Sequence, residues 1–334
     1  MKFFRPLTAT AFALTATLLF ASCGAASGSS SSEQSSGARS GASGSVNSTA
    51  NFSATDNSAS ASATSSASKP AELVGGGTKI FPDRRFVALY GSPDNAALGV
   101  LGEYEPVEAV NQVKTLAQQY QPFSKEKVQP AFEIITTIAS SEPGGDGDYS
   151  REIPVKELLP LIEEAEKNGV YVVLDLQPGR DSFVHQVTEY QELFKRPNVG
   201  LGIDPEWRLG PNQVHLQQIG TVDAAEINET LDFVANLVKQ EQIPQKLVVL
   251  HQFTQAMITN RELVDTSHPE LALTMHADGH GIPDLKKDTY NTLLQGLPQG
   301  IYPSWKNFYE EDTPTLTPEQ TYALNPAPWV VTYQ

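Results

Sequence analysis

The stretch VGLGIDPEW at residues 199–207 reads as an apolar β-strand that ends in two carboxylates and a tryptophan. Side chains alternate across a strand, so residues two positions apart lie on the same face. Asp204 and Glu206 are therefore predicted to point the same way from the carboxyl end of this strand. What lies beside them depends on the fold that the rest of the chain builds.

Seven other stretches have the same apolar character, and helical patterns separate most of them. In chain order the eight are RFVALYG (85–91), AFEIITTIAS (131–140), VYVVLDLQ (170–177), VGLGIDPEW (199–207), KLVVLHQF (246–253), LALTMHAD (271–278), GIYPSW (300–305) and PWVVTY (328–333). Apolar strands that alternate with helices indicate a parallel sheet covered by helices. Eight such repeats predict an α/β fold, a closed (β/α)8 barrel of the TIM type.

Apolar residues at helical spacing predict the helices between these strands. The clear helices are 106–120, 154–169 and 224–240, the weaker ones are 182–195 and 289–297, and those after strands five and seven are expected to be short. The alternative fold is an open Rossmann-like sheet, which calls for a G-x-G-x-x-G fingerprint after the first strand. The first strand instead runs into YGSPDNAALGVLGEY (90–104), which does not match.

The chain begins with a segment that is typical of a secretory signal peptide. Residues 1–23 have a short basic start, an apolar run and small residues before Cys23, the sole cysteine. The ending FASC (20–23) resembles the lipobox of bacterial lipoproteins, and the whole chain resembles secreted lipoproteins of actinobacteria. This resemblance implies a lipid on Cys23, which anchors an extracytoplasmic protein to the cell membrane. The alternative is an ordinary signal peptide with an accidental cysteine.

The segment that follows the cysteine differs in composition from the rest of the chain. Residues 24–78 are rich in Ser, Ala and Gly. Such a segment buries too little apolar surface to offset the entropy of ordering it, so it is predicted to be a disordered tether. Residues 79–334 then form the barrel domain. The formal net charge of −16 argues against nucleic acid as a partner.

Polar side chains collect at the carboxyl ends of the predicted strands, where (β/α)8 barrels form their active sites. In chain order they are Tyr90, Asp175, Gln177, Asp204, Glu206, Trp207, His251, Gln252, His276, Asp278, Trp305 and Lys306. Taken alone, each has a structural explanation, such as a helix cap for Asp175, a core histidine for His251 or rim packing for Trp305. Their shared location favours a functional site.

The pair of acids in IDPEW (203–207) favours a glycoside hydrolase acting on an envelope or environmental glycan. Glycosidic cleavage usually needs one protonated carboxyl group and a second carboxylate. The D-x-E resembles that of barrel glycosidases of the chitinase and lysozyme-like muramidase types, although the longer D-G-x-D-x-D-x-E run of chitinases is absent. The resemblance implies that Glu206 is the acid and Asp204 its helper, which would raise the pKa of Glu206 by like charge. Asp175 or Asp278 would supply the second carboxylate.

This hypothesis needs a carbohydrate substrate and no cofactor. The side chains expected to position the substrate are Tyr90, Gln177, Trp207, His251, Gln252, His276, Trp305 and Lys306.

Two other hypotheses use the same part of the barrel. The first is a metal-dependent hydrolase of an ester, amide or phosphodiester. Its divalent metal would be held by His251, His276, Asp278, Asp204 and Glu206. No local ligand motif such as H-E-x-x-H accompanies these residues. The second is a non-catalytic lipoprotein that binds a glycan or solute through the same aromatic side chains.

Overall fold

A closed barrel of eight parallel strands forms the core of the fold. The computed structural model describes residues 71–93 and 95–334, so the predicted leader, its Cys23 and tether residues 24–70 lie outside the described residues. The barrel strands are β1 Arg84–Gly91, β2 Lys127–Ala139, β3 Tyr171–Leu176, β4 Val199–Ile203, β5 Lys246–Gln252, β6 Leu271–Ala277, β7 Ile301–Asn307 and β8 Val330–Tyr333. Strands pair in chain order, and β1 pairs in parallel with both β2 and β8, which closes the sheet. The prediction of an α/β fold with a closed, TIM-like barrel of eight parallel strands is confirmed.

The described part of the chain holds seven α-helices. They are α1 Pro106–Tyr120, α2 Val155–Lys167, α3 Phe183–Glu189, α4 Gln191–Phe194, α5 Ala224–Glu241, α6 Pro283–Leu294 and α7 Pro318–Tyr322. The helix predicted at 182–195 is divided in two at Tyr190, and α6 begins earlier than the pattern of 289–297 indicated. Two short 3-10 turns, Gln255–Met257 and Arg261–Leu263, follow β5 in place of an α-helix. Within the described ranges, no helix is both long and apolar enough to cross a membrane.

Proline and capping side chains fix where several of these helices begin. α1, α6 and α7 each have proline in their first turn, where a missing backbone N–H costs nothing. At α5, Asp223 caps the helix by accepting a hydrogen bond of 3.0 Å from the backbone N–H of Ala225. The buried face of α5 includes Ile227, Leu231 and Val238, which packs it on the outside of the barrel.

An apolar layer fills the lower part of the barrel and a polar layer lies above it. The inner apolar cluster contains Phe86, Ala88, Ala131, Tyr171, Val173, Leu247, Val249, Ala272 and Val330. Two positions further along four of the strands come Tyr90 after Ala88, Glu133 after Ala131, Asp175 after Val173 and His251 after Val249. Because side chains alternate along a strand, these four groups also point into the barrel, nearer its carboxyl end.

Residues before β1 pack against the amino-terminal end of the barrel. Leu73 is 3% exposed and belongs, with Ile80 and Phe81, to the inner apolar cluster. Arg84 donates hydrogen bonds to the carbonyl oxygens of Val74, at 2.8 Å, and Gly76, at 2.5 Å. Residues 71–78, which the composition assigns to the tether, therefore lie against the barrel domain.

The two glycines of β4 make room for side chains of neighbouring strands. A Cβ at position 202 would lie 2.8 Å from Oδ1 of Asp175 and 3.0 Å from its Cα. A Cβ at position 200 would lie 2.5 Å from the carbonyl oxygen of Leu247 and 3.0 Å from the hydroxyl of Tyr171. The sequence VGLGI thus leaves space inside the barrel, and Asp175 occupies part of it.

Candidate active site

A chain of alternating buried charges crosses the carboxyl end of the barrel. His251 on β5 has Nδ1 at 2.9 Å from Oδ2 of Asp278 and Nε2 at 2.9 Å from Oε1 of Glu133. On the other side of Asp278, the Nζ atom of Lys306 on β7 lies 3.1 Å from Oδ1. The order Glu133, His251, Asp278, Lys306 pairs each charged group with one of opposite sign, which is how buried charges are tolerated.

The pKa values of His251, Lys306 and Asp278 favour the charged forms of these three groups. Burial opposes a charge on His251, but Glu133 and Asp175 outweigh it and raise the pKa of His251 well above its ordinary value. Burial likewise opposes a charge on Lys306, yet Asp278 raises the pKa of Lys306. Burial also disfavours the carboxylate of Asp278, but Lys306 and His251 hold the pKa of Asp278 below its usual range. Asp278 is therefore ionised across the neutral range.

Asp175 lies beneath these groups and is fully buried. The hydroxyl of Tyr90 donates a 2.8 Å hydrogen bond to its Oδ2 atom. Burial raises the pKa of Asp175 to about 6, although the positive charge of His251 opposes the shift. The ammonium group of Lys306 lies over the ring of Tyr90, 3.5 Å from the ring centroid, in a cation–π contact. Tyr90 thus links Asp175 to the charged chain.

A cavity of about 540 Å³ opens above the charged chain. Its apolar walls include Leu98, Ile135, Ile138, Trp207, Phe253 and Phe308. Its polar side chains include Tyr90, Gln177, Glu206, Asp278, His280, Thr289, Lys306 and Gln334. This volume, with apolar walls and a few convergent polar groups, is typical of small-molecule sites.

Glu206 and Asp204 occupy different environments although they are two residues apart. Glu206 lies in the 3-10 turn Pro205–Trp207 and lines the cavity, and burial followed by the charge of Asp278 raises its pKa to about 7. Asp204 is 1% exposed, and burial followed by the charge of Glu206 raises its pKa well above the usual value. Both contributions favour the protonated form of Asp204. The like charge that raises the pKa of Glu206 comes from Asp278, where the sequence pointed to Asp204.

The structure brings together ten of the twelve strand-end residues expected in the site. Those that line the cavity are Tyr90, Gln177, Glu206, Trp207, Asp278 and Lys306. Those buried inside the barrel and absent from the cavity wall are Asp175, Asp204, His251 and His276. The ring of His276 hydrogen-bonds the hydroxyl of Thr332 at 2.8 Å, and burial followed by the charge of His251 lowers the pKa of His276. His276 is therefore a neutral core residue.

Gln252 and Trp305, which the sequence placed among the substrate-positioning residues, do not line the cavity. Side chains alternate, so the inward positions of His251 and Lys306 turn both residues outward from the barrel. Trp305 is 1% exposed and donates through Nε1 to Oδ1 of Asn307 at 2.8 Å. Gln252 accepts a hydrogen bond of 3.3 Å from Arg261. Both belong to the packing between strands and outer elements.

The sequence analysis did not identify three other residues of the site. Glu133 is buried within the strand AFEIITT and hydrogen-bonds His251. The sequence pattern that could have identified it is an acid on the same strand face as Ala131 and Ile135. Phe253 and Phe308 follow their strands directly and line the cavity. Nothing in their sequence surroundings separates them from ordinary packing residues.

Among residues 71–93 and 95–334, two groups of buried side chains have ligand atoms close enough to surround a metal ion. They are Glu133, Asp175 and His251, and Asp204, His251 and Asp278, with the ligand atoms of each group within 4.8 Å of one another. Oε2 of Glu133 and Oδ1 of both Asp175 and Asp204 have no hydrogen-bond partner among the described residues. Both ring nitrogens of His251 already bind carboxylates, however, whereas a metal ligand needs a free nitrogen lone pair. A metal ion in either group would therefore have to replace one of the two hydrogen bonds of His251.

Neither models of known protein families nor the sequences of curated proteins match the chain. The fold and site define the protein as a closed parallel α/β barrel with a buried ionisable network at the carboxyl end of its strands. A barrel of this kind hosts many unrelated reactions, so its function has to be argued from the site itself.

Proposed function

We propose that the protein is a hydrolase that cleaves glycosidic bonds in the cavity at the carboxyl end of the barrel. The proposal rests on two carboxyl groups that line one cavity and whose pKa values are displaced in opposite directions. Glu206, with a pKa of about 7, keeps its proton near neutrality, while Asp278 stays ionised. A protonated and an ionised carboxyl group facing the same space are the pair that glycoside hydrolysis uses.

The two acids have separate tasks in this reaction. Glu206 donates its proton to the glycosidic oxygen as the bond between that oxygen and the anomeric carbon breaks. Asp278 stabilises the positive charge that develops at the anomeric carbon, as nucleophile or as the base that activates water. His251 and Lys306 each hold one oxygen of Asp278, so its position and its charge are fixed before substrate binds.

The cavity walls suit a carbohydrate. Trp207, Phe253 and Phe308 offer aromatic faces for the apolar side of a sugar ring. Gln177 and His280 offer hydrogen-bonding groups for its hydroxyls. Mixed aromatic and polar walls around two acids support a sugar more than a purely apolar ligand.

We also propose that the reaction takes place outside the cytoplasm, on glycans of the cell envelope or its surroundings. This part of the proposal rests on the signal-like residues 1–23 and the lipobox-like ending at Cys23. Fractionation of cells that make the wild type or Cys23→Ser tests it. The wild type is expected in the membrane fraction and Cys23→Ser outside it. Equal membrane binding would contradict the lipid anchor.

The reaction is tested by counting new reducing ends when the full-chain protein is incubated with isolated envelope polysaccharide and with peptidoglycan. The variants Glu206→Gln and Asp278→Asn are each expected to lose at least about 100-fold in rate. Glu142→Gln is the matched control, because Glu142 is an exposed acid on the loop after β2 and lines no part of the cavity. It is expected to retain the wild-type rate.

Three outcomes would overturn the proposal. Full activity in both acid variants would remove the two carboxyl groups from the reaction. Activity that a chelator abolishes and a divalent metal restores would favour the metal-dependent hydrolase. Oligosaccharide binding by folded wild type without new reducing ends would favour a glycan-binding lipoprotein.

A further inference from the structure

A second cavity lies beside the turn that carries Glu206. Its volume is about 270 Å³, and its walls are Glu206, Trp207 and segment 215–219. Glu206 and Trp207 line both cavities, whereas Asp278 lines only the larger one. Glu206 therefore lies at the boundary between the two cavities, and the ionised carboxylate of Asp278 faces only the larger one.

The wall of the second cavity exposes two apolar side chains, and the backbone at one of them has an unfavourable conformation. Leu216 is 86% exposed, and its φ of 65° places it in the left-handed region, which bulky residues rarely adopt. Ile219, three residues further on, is 49% exposed. Strained backbone of this kind persists where the surroundings fix it, and it is concentrated at binding sites.

Contacts between three loops hold this wall in place. The ring of His215 packs edge-on against Trp207, with centroids 5.4 Å apart, and its Nε2 atom lies 3.0 Å from the carbonyl oxygen of Tyr149. Arg180 lies over the ring of Tyr149 at 4.4 Å and donates a 2.9 Å hydrogen bond to the carbonyl oxygen of Gln213. The loops after β2, β3 and β4 thus form one built surface beside the acid.

We propose that the second cavity is the leaving-group subsite and takes a sugar ring, so that the substrate is a chain of sugar units. This inference rests on the proposed function. A general acid protonates the oxygen that joins the two rings. The ring on the side of Asp278 is then the one whose anomeric carbon reacts. The ring on the other side leaves with the oxygen, its apolar face against Trp207 and Leu216.

The balance of the step follows from these positions. The bond between the anomeric carbon and the glycosidic oxygen breaks, and the oxygen takes the proton of Glu206. Water supplies the hydroxyl group that the anomeric carbon gains, and exchange with solvent returns a proton to Glu206. The departing sugar is therefore released as an alcohol from the second cavity, while the new reducing end forms in the larger one.

Two substrates made from the envelope polysaccharide separate the two cavities. Its disaccharide places one ring in each cavity, and the glycosyl fluoride of its non-reducing sugar has a single atom as leaving group. Leu216→Ser in the full-chain protein is expected to lower kcat/KM for the disaccharide about tenfold and to leave the fluoride unchanged. The matched control is Leu263→Ser, because Leu263 is 64% exposed and lines neither cavity. It should change neither rate. Equal effects of Leu216→Ser on both substrates, or none, would overturn the subsite.

A binding measurement separates failure of the subsite from failure of the proposed function. A hexasaccharide from the same polysaccharide is titrated against the wild type and against Leu216→Ser, with tryptophan fluorescence as the readout. Weaker binding by Leu216→Ser alone supports the subsite even where no bond is cleaved. Equal binding by both proteins contradicts the subsite, and binding by neither contradicts the proposed function on which the subsite rests.

Discussion

Asp278 lines the same cavity as Glu206, and the two carboxyl groups have pKa values displaced in opposite directions. The displacements are linked, because the charge of Asp278 is, after burial, the main contribution that raises the pKa of Glu206. Lys306 and His251 stabilise the ionised form of Asp278 and so keep that charge in place. The two cations also act on Glu206 directly and lower its pKa, so the pKa of about 7 is a balance between burial and Asp278 on one side and Lys306 and His251 on the other.

The pH dependence of cleavage follows from this pair. kcat/KM should stay level through mildly acidic pH, where Glu206 is protonated and Asp278 is ionised. It should fall as pH rises through about 7, because Glu206, with its pKa of about 7, then loses the proton it has to donate. This pH profile is measured from initial rates on the envelope polysaccharide between pH 4 and 9. A rate that increases through neutral pH would assign Glu206 the role of a base. In the control variant Glu206→Gln, the pH profile should show no fall in rate near pH 7.

Replacing Asp175 by asparagine should stabilise the protein at neutral pH. The pKa of Asp175 is about 6 in the fold and about 4 in an unfolded chain, so its stabilising contribution is complete below about pH 4 and is lost as the pH rises to about 6. Asparagine cannot ionise and still accepts the hydrogen bond of Tyr90. The free energy of unfolding of Asp175→Asn should therefore exceed that of the wild type by about 3 kcal/mol above pH 6 and match it near pH 4.

Urea unfolding at pH 4.5 and 7.5 measures this difference. The control is Asp284→Asn, because the side chain of Asp284 is 91% exposed and its neutralisation should leave the stability difference near zero at both pH values. If Asp175→Asn is less stable than the wild type by the same amount at both pH values, the prediction is wrong. The attraction between the carboxylate of Asp175 and His251 would then stabilise the fold by more than burial of the charge costs.

The barrel was readable from the sequence because its signal is repeated. Eight apolar stretches alternate with helical patterns, and an error at one, such as the late start predicted for α6, leaves the architecture intact. The strand ends also located the cavity, since the parallel arrangement brings all eight of them to one face.

The details of the site were not readable, because they depend on which face of each strand turns inward. His251 and Gln252 are neighbours, yet only His251 enters the barrel. Glu133 was missed because it lies inside a strand and not at its end. The pKa of Asp204 is set by its burial, which depends on residues distant in the chain that the local pattern does not contain.

The buried position of Asp175 is predicted to require glycine at position 202. Gly202→Ala would place a Cβ 2.8 Å from Oδ1 and 3.0 Å from Cα of Asp175, so either the strands or the carboxyl group has to move. The expected loss is about 1–3 kcal/mol of unfolding free energy, measured by urea unfolding. Gly145→Ala is the control, since its Cβ would meet no atom within 4 Å, and it should stay within about 0.5 kcal/mol of the wild type. Equal stability of the two variants would mean that β4 adjusts freely.

A buried ion pair outside the cavity is predicted to hold two of its loops. Lys286 on α6 pairs with Asp312, and Asp312 also accepts hydrogen bonds of 3.0 Å from the backbone N–H groups of Gly281 and Phe308. Lys286→Met leaves the carboxylate of Asp312 buried without its cation, which should cost about 3–5 kcal/mol. The double variant with Asp312→Asn should recover part of that loss, because no charge is then left unpaired.

Urea unfolding of the two single variants and the double variant measures the coupling, and KM on the envelope polysaccharide reports the effect on the loops. KM should rise in Lys286→Met because Phe308 lines the cavity and its backbone is held by Asp312. The surface pair of Lys195 and Glu192 is the control, since Lys195→Met should leave stability close to that of the wild type. If Lys286→Met and Lys195→Met have equal effects, the buried pair contributes no more than a surface pair, and the loops are held by their backbone contacts alone.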